Sequence, residues 1–452
     1  MRSAFAVCAF ALPGGALAAP PALQDAIGDP ENFRLSGSLR VRYETLDGQS
    51  RPGLDPRDDQ LALRATLAAE YRKHGVRVGA ELFDSRAYLT EPGSAASANE
   101  VNTLELVQAY VGADLGSVLG RGSKTEVQLG RFMLNLGSRR LVAADEYRNT
   151  TNGYTGARID LKAADGSTAT LIYTLPQLRR PDDLDSVLDN RRQGDRESFD
   201  LRLWGAVAQR PKAFGETALE LAYFRLQERD SPGRPTRDRD LHTLSARMIR
   251  NPKARVWDYE LEGIYQFGAV RGSTAPAAAR VSVSAWFVHA DLGYTFPGPA
   301  KLRLSAEYDQ ASGDGPGRGF GRFDTLFGMR RADLAPSGIY AAVGRANILT
   351  PGIRAEIAPS PRLDAFAGYR AMWLSDRRDA FSTTGVRDPA GASGRFAGHQ
   401  LDGRLRYWLV PQTLRAEVNA VWLIKGRFLK HAPNAPRTGD THYLSTALVA
   451  MF

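Results

Sequence analysis

The chain has 452 residues, 59 Lys+Arg against 50 Asp+Glu, a formal net charge of +9 and a single cysteine. Beyond its first residues it contains no run of about 18 apolar residues, which excludes spanning helices. The basic residues are mostly arginines spread along the whole chain, which excludes the clustered basic face of a nucleic-acid binder.

The chain opens with Met1-Arg2, an apolar stretch over residues 4–12 and the small-x-small run Ala16-Leu17-Ala18. That combination predicts a secretory signal peptide over residues 1–18. Cys8 lies inside it, so the mature chain would have no disulfide, thiolate nucleophile or cysteine metal ligand. Residues 19–32 would then form a short periplasmic segment ahead of the first strand.

Residues 33–44 alternate strictly. Phe33, Leu35, Leu39, Val41 and Tyr43 take one face; Arg34, Ser36, Ser38, Arg40, Arg42 and Glu44 take the other. Period-two alternation predicts a half-buried strand, not a helix. The pattern returns at residues 61–71, 257–267, 302–308, 363–373, 401–407 and 414–422. The links between strands alternate in length. Tight ones fall at residues 73–75, 164–166, 251–253, 297–299, 359–361 and 411–412, with slightly longer ones at 116–124 and 209–217. Long polar loops lie between them, at residues 47–59, 90–102, 176–197, 228–240, 311–338, 375–397 and 425–440. A membrane barrel with periplasmic turns on one rim and external loops on the other predicts this alternation. The final segment, residues 441–452, puts Leu444, Thr446, Leu448, Ala450 and Phe452 on one face and ends on that Phe, as outer-membrane barrels do. Residues 33–452 therefore read as an all-β, transmembrane, antiparallel up-and-down β-barrel of about 18 strands in the outer membrane of a Gram-negative cell. A barrel of this size encloses an aqueous lumen. Closure would pair the last strand antiparallel with residues 33–44 and leave Phe452 facing lipid at the periplasmic rim.

Parity then assigns faces. A charge at the midplane of the lipid face costs about 2–4 kcal/mol. Arg40, Arg42, Arg64, Arg77, Arg158, Arg202, Arg247, Arg303, Arg354, Arg370, Arg404, Arg406 and Arg415 all fall opposite the apolar face and are expected in the lumen. Rings of arginine favour anions in a pore, and each guanidinium fork suits a carboxylate. Acids such as Glu44, Glu70, Glu260, Glu307, Asp364 and Glu417 share those faces, so cross-strand pairing is the alternative role for any single arginine.

One block is more specific. Leu129-Gly-Arg-Phe-Met-Leu-Asn-Leu-Gly-Ser-Arg-Arg-Leu-Val142 is followed by Arg148-Asn149 and Tyr154-Thr-Gly-Ala-Arg-Ile159. Together with Glu81-Leu-Phe-Asp-Ser-Arg86, Phe323-Asp-Thr-Leu-Phe327 and Asp440-Thr-His-Tyr443, it resembles the alginate-export family of outer-membrane porins across nearly the whole mature chain. The resemblance implies a single-chain barrel of about 18 strands without a separate plug domain. It also implies passage of an anionic polysaccharide such as alginate, its oligomers or smaller carboxylate solutes. Arg131, Arg139, Arg140 and Arg158 match family motif positions and become the leading constriction candidates. Arg131 breaks strand parity, which suggests a bulge or an in-turned segment. The expected partners are the bilayer, lipopolysaccharide and anionic solutes, with periplasmic export proteins a further option. No catalytic residue, metal or cofactor is expected.

Two other function classes stay open. A barrel hydrolase could use His289 and Asp291 on one face with Ser305 on the next strand, a fragment of a triad. Long loops would also suit an adhesin or receptor. The Asp182/Asp183/Asp185/Asp189 run and residues 228–240 read as solvated loops, with calcium or lipopolysaccharide contact as the alternative. Gly313-Asp-Gly-Pro-Gly-Arg-Gly319 opens no helix and reads as flexible loop, not a phosphate cradle. The loop at 311–338 is the candidate to fold into the lumen as a gate.

Overall fold

The computed structural model describes residues 22–452 apart from 29, 318, 331 and 332, so the expected signal peptide lies outside the described residues. Eighteen antiparallel strands close on themselves. The first half comprises β1 (Phe33–Asp47), β2 (Arg57–Lys73), β3 (Val76–Tyr88), β4 (Asn102–Gly116), β5 (Lys124–Met133), β6 (Gly153–Lys162), β7 (Thr168–Pro176), β8 (Leu201–Phe214) and β9 (Thr217–Glu228). The second comprises β10 (Asp240–Arg250), β11 (Trp257–Arg271), β12 (Arg280–Thr295), β13 (Arg303–Ala311), β14 (Ile348–Ser360), β15 (Leu363–Trp373), β16 (Phe396–Val410), β17 (Leu414–Lys425) and β18 (Thr441–Met451). Each strand pairs with its sequence neighbours, and β1 pairs with β18 from Ser38↔Met451 to Asp47↔His442. The carboxyl terminus extends that seam: the Gly37 N–H donates to the Phe452 carbonyl at 2.7 Å and the Phe452 N–H to the Gly37 carbonyl at 3.0 Å. No open edge remains, which a sheet in lipid requires.

The short links lie on one rim and the long loops on the other. His74 (φ 50°) and Gly75 (φ 79°) alone join β2 to β3, the left-handed pair that a two-residue hairpin needs. The link expected at 209–217 is shorter than its sequence suggested: β8 runs on to Phe214, and only Gly215 and Glu216 turn. The 311–338 loop is longer, reaching from 312 to 347.

Alternation along each ladder sets the two faces. Leu39, Val41 and Tyr43 are exposed on the outside, while Arg40, Arg42 and Glu44 are buried inside. The packed core lies within the barrel, towards the long-loop rim. Residues 134–152 and 312–347 turn inward and fill that half. Phe132, Leu134, Val142, Phe287, Phe323 and Tyr340 pack into one buried cluster there. A parallel bridge from Val142 to Phe327 zips the two loops together, with Ala143 N–H to Phe327 O at 3.1 Å, Phe327 N–H to Leu141 O at 2.9 Å and Met329 N–H to Arg139 O at 3.0 Å. Gly328 makes this approach possible: a Cβ there would sit 1.8 Å from the Arg140 carbonyl oxygen.

Candidate channel lining and constriction

The inner wall below the loops is a lattice of ion pairs. Arg77 pairs with Glu126, and Arg158 with Asp160 through Nε at 2.6 Å. Arg247 bridges Glu220 (3.3 Å) and Glu260 (3.0 Å). Arg303 reaches Asp258, Asp291 and Glu356. Arg354 and Arg370 meet at Glu307, at 3.8 and 3.2 Å. Arg404 and Arg406 share the single carboxylate of Asp364, and Arg415 lies 3.6 Å from Glu417 and over the Trp408 ring.

The charge is not evenly distributed around the ring. Inward positions on β11–β13 carry Asp258, Glu260, Glu262, Asp291, Glu307 and Asp309 against Arg303 and His289. Inward positions on β16, β17, β1 and β2 carry Arg404, Arg406, Arg415, Lys425, Arg34, Arg40, Arg42, Arg64 and Arg72 against Asp402, Glu417, Glu44, Asp58 and Glu70. Two of these arginines bind neutral oxygens instead of carboxylates. Arg40 donates to the carbonyls of Glu146 (3.0 Å) and Arg148 (2.6 Å) and to Asn149 Oδ1 (3.2 Å). Arg64 donates to the carbonyls of Glu146 and Arg148, each at 3.3 Å. Arg42 pairs with Glu44 at 2.7 Å and donates to the Tyr147 carbonyl. The first in-turned loop is thus held by its backbone on three wall arginines.

Arg140 ties the two in-turned loops to each other and to the wall. Its side chain is 4% exposed and bonds Asp333 of the second loop in bidentate fashion, Nε–Oδ2 at 2.8 Å and Nη2–Oδ1 at 2.9 Å. It also bonds Glu262 at 2.6 Å and Glu260, both on β11. Burial alone would lift the Asp333 carboxyl, but Arg140 and Arg345 bring it well below the usual carboxylate range. Arg139, its neighbour in sequence, turns the other way with φ 62° and stays 40% exposed beside Glu146.

Two expected lumen residues need correction. Arg202 stands opposite Gln227, and the inward positions of β8 are Leu201 and Leu203, which pack with Leu226 in the core. Arg202 therefore lies on the outward face of the external rim, beside Trp204. Arg131 keeps register opposite Ala109 and Thr155, while its neighbour Phe132 takes the inward face. The irregularity is in β4, where the pairing skips Val107. Arg131 is clamped by Glu105 and Glu197, each at 2.8 Å, so it belongs to the rim and not to the pore.

The candidate triad is not assembled. His289 Nδ1 bonds Asp309 Oδ1 at 2.7 Å, and Ser305 stands opposite Gly293 and Arg354. The acidic loop run forms a helix cap instead of a metal site. Asp183 accepts from the Ser186 N–H at 2.9 Å at the start of α1 (Leu184–Leu188), and no His/Cys/Asp/Glu group suited to a metal occurs among the described residues. Sequence reasoning passed over His242, which lies on β10, faces outward and stacks on Phe267. It also passed over Glu146 and Asp333, whose roles depend on loops turning inward.

The alginate export family model matches residues 32–441. No curated protein matches the chain. Among solved structures, OccK8 (OprE) of Pseudomonas aeruginosa is similar at TM-score 0.59 and 13% identity, covering 93% of this chain and 98% of that one. OccK2 (OpdF) of the same organism, solved in complex with glucuronate, gives 0.58 and 12%, covering 92% and 98%. A BenF-like porin from Pseudomonas fluorescens Pf-5 gives 0.59 and 13%, covering 93% and 99%. At such identities the likeness is one of fold.

Proposed function

We propose, from the premise that this chain belongs to the alginate export family and is an outer-membrane solute channel, that its solutes are anionic and that uronates are the class to test first. The observation that carries this reading is the basic arc on β16, β17, β1 and β2. There Arg40 and Arg64 bind neutral carbonyls. Charge left over on one wall attracts a carboxylate, whereas the acids of β11–β13 are matched by Arg140, Arg247, Arg303 and Arg370 and add little field of their own. A carboxylate crossing this field would be steered along the arc instead of through the lumen centre. That OccK2, a barrel of the same fold, was solved with glucuronate supports a uronate as the first probe.

The test is planar-bilayer conductance in a KCl gradient, followed by titration with uronate oligomers and neutral oligosaccharides of equal length. The expected result is an anion-selective reversal potential and block by the uronates alone. Cation selectivity with no uronate block would reject the anionic cargo and leave the barrel untouched.

A further inference from the structure

Resting on the anionic-cargo reading, we infer that Glu146 is a resident carboxylate that occupies the solute's place at the constriction and is exchanged for each passing carboxylate. Its main chain is fixed, since the carbonyl accepts from Arg40 at 3.0 Å and from Arg64 at 3.3 Å. Its side chain is not. It is 61% exposed, and its two oxygens accept from Asn135 Nδ2 and Arg139 Nη1, each at 3.4 Å. Charge-assisted bonds are normally about 2.7–2.9 Å. Asp333 in the same constriction meets that standard against Arg140, at 2.8 and 2.9 Å. The constriction thus holds one carboxylate tightly, as a structural lock, and one loosely, in open water.

The donors around Glu146 are those a uronate carboxylate needs: one exposed guanidinium and one side-chain amide on a single turn. Arg139 reaches this position because its left-handed φ of 62° turns it away from Arg140. A solute carboxylate that takes the donors of Arg139 and Asn135 releases Glu146 to water, and one anion replaces another. The exchange keeps the occupied site from becoming a trap, because Glu146 competes for the same donors when the solute is due to leave. Conduction requires this balance of binding and release.

Glu146→Gln keeps the shape and removes the competing charge. The exposed pair is weak, so uronate block should tighten by up to about fivefold and anion selectivity should rise. In an Arg139→Gln background the same substitution should tighten block less, because only the Asn135 amide remains for solute and Glu146 to contest. Heat-modifiable migration in detergent gels reports folding of each barrel, and Glu146→Ala is the second variant if the Gln form assembles poorly. Equal block of wild-type and Glu146→Gln channels overturns the exchange alone, as does a tightening of block that is equally large without Arg139. Failure of uronate to block either channel overturns the anionic-cargo reading together with it.

Discussion

Replacing Arg140 by Met should open the constriction without unfolding the barrel. Arg140 neutralises three carboxylates: Asp333 from the second in-turned loop, and Glu260 and Glu262 from the wall. Removing one partner from a buried ion network costs about 3–5 kcal/mol, because the opposite charges stay buried. The three acids are not equally exposed to that loss. Asp333 keeps Arg345, and Glu260 keeps Arg247 at 3.0 Å. Glu262 keeps the neutral hydroxyls of Ser138 (3.1 Å) and Ser245 (2.7 Å), so most of the cost falls there. The closed ladder of strands does not depend on Arg140, so the loss is expressed as undocking of the two loops. At about 1.4 kcal/mol per decade, the docked fraction relative to undocked should fall by roughly a hundredfold to a few thousandfold.

Hydrogen exchange reads this at the Ala143, Phe327 and Met329 amides, which make the loop-to-loop bonds. They should exchange faster in the variant, while strand amides stay protected. Single-channel conductance should rise and become noisier. A second variant, Arg140→Met with Glu262→Gln, removes the stranded charge while leaving Asp333 to Arg345, and should recover part of the protection. Wild-type exchange at those three amides together with unchanged conductance would refute the tie.

Three further outcomes follow from the same geometry. Gly328→Ala should loosen the bridge between the loops by about 1–3 kcal/mol, because its Cβ would meet the Arg140 carbonyl at 1.8 Å; exchange at Phe327 measures it. Glu100, buried in the loop between β3 and β4, has its carboxyl pushed up to about 7 by burial and then by Glu44. A raised folded pKa stabilises the protonated form, so the support it gives that loop is complete below about pH 4 and is lost as pH rises through 7; limited proteolysis of residues 89–101 should quicken from pH 5.5 to 8 and lose that dependence in Glu100→Gln. Arg202→Gln should leave reversal potential and uronate block at wild-type values, and a shift in either would return Arg202 to the lumen.

The strand order, the two rims and the β1–β18 seam were legible because period-two alternation survives wherever one face meets lipid and the other meets water. That rule has a hidden premise, a lumen wet from rim to rim. Near the external rim the premise fails, because residues 134–152 and 312–347 pack inside. Inward positions there become apolar: Leu201 and Leu203 on β8, Phe224 and Leu226 on β9, Phe132 on β5. Polarity then no longer separates the faces, and Arg202, beside two inward leucines, is assigned to the wrong one. Arg131 beside inward Phe132 is the same case. A signal existed in Leu134, Leu136, Leu141, Val142, Ala143 and Ala144, too apolar a run for a loop in water, and each is buried. The position of Arg140 against Glu262 was beyond reach, since it depends on where a loop lands and not on any alternation.

The in-turned loops also decide which arginines can act on a solute. Abundance is a poor guide, because most wall arginines are already matched by a carboxylate, and a matched pair contributes little net field to the lumen. Arg140 is one of the four motif positions, yet its charge is spent on three acids inside the protein. Arg139, one residue earlier, reaches water because its backbone is left-handed. If the cargo is anionic as proposed, selectivity would rest on a difference between neighbouring residues of opposite fate, and on Arg40 and Arg64, whose partners are the carbonyls of the loop that carries Arg139. The same contacts that hold the loop in place leave the wall's positive charge uncancelled, so docking of the loop and selection of anions should rise and fall together.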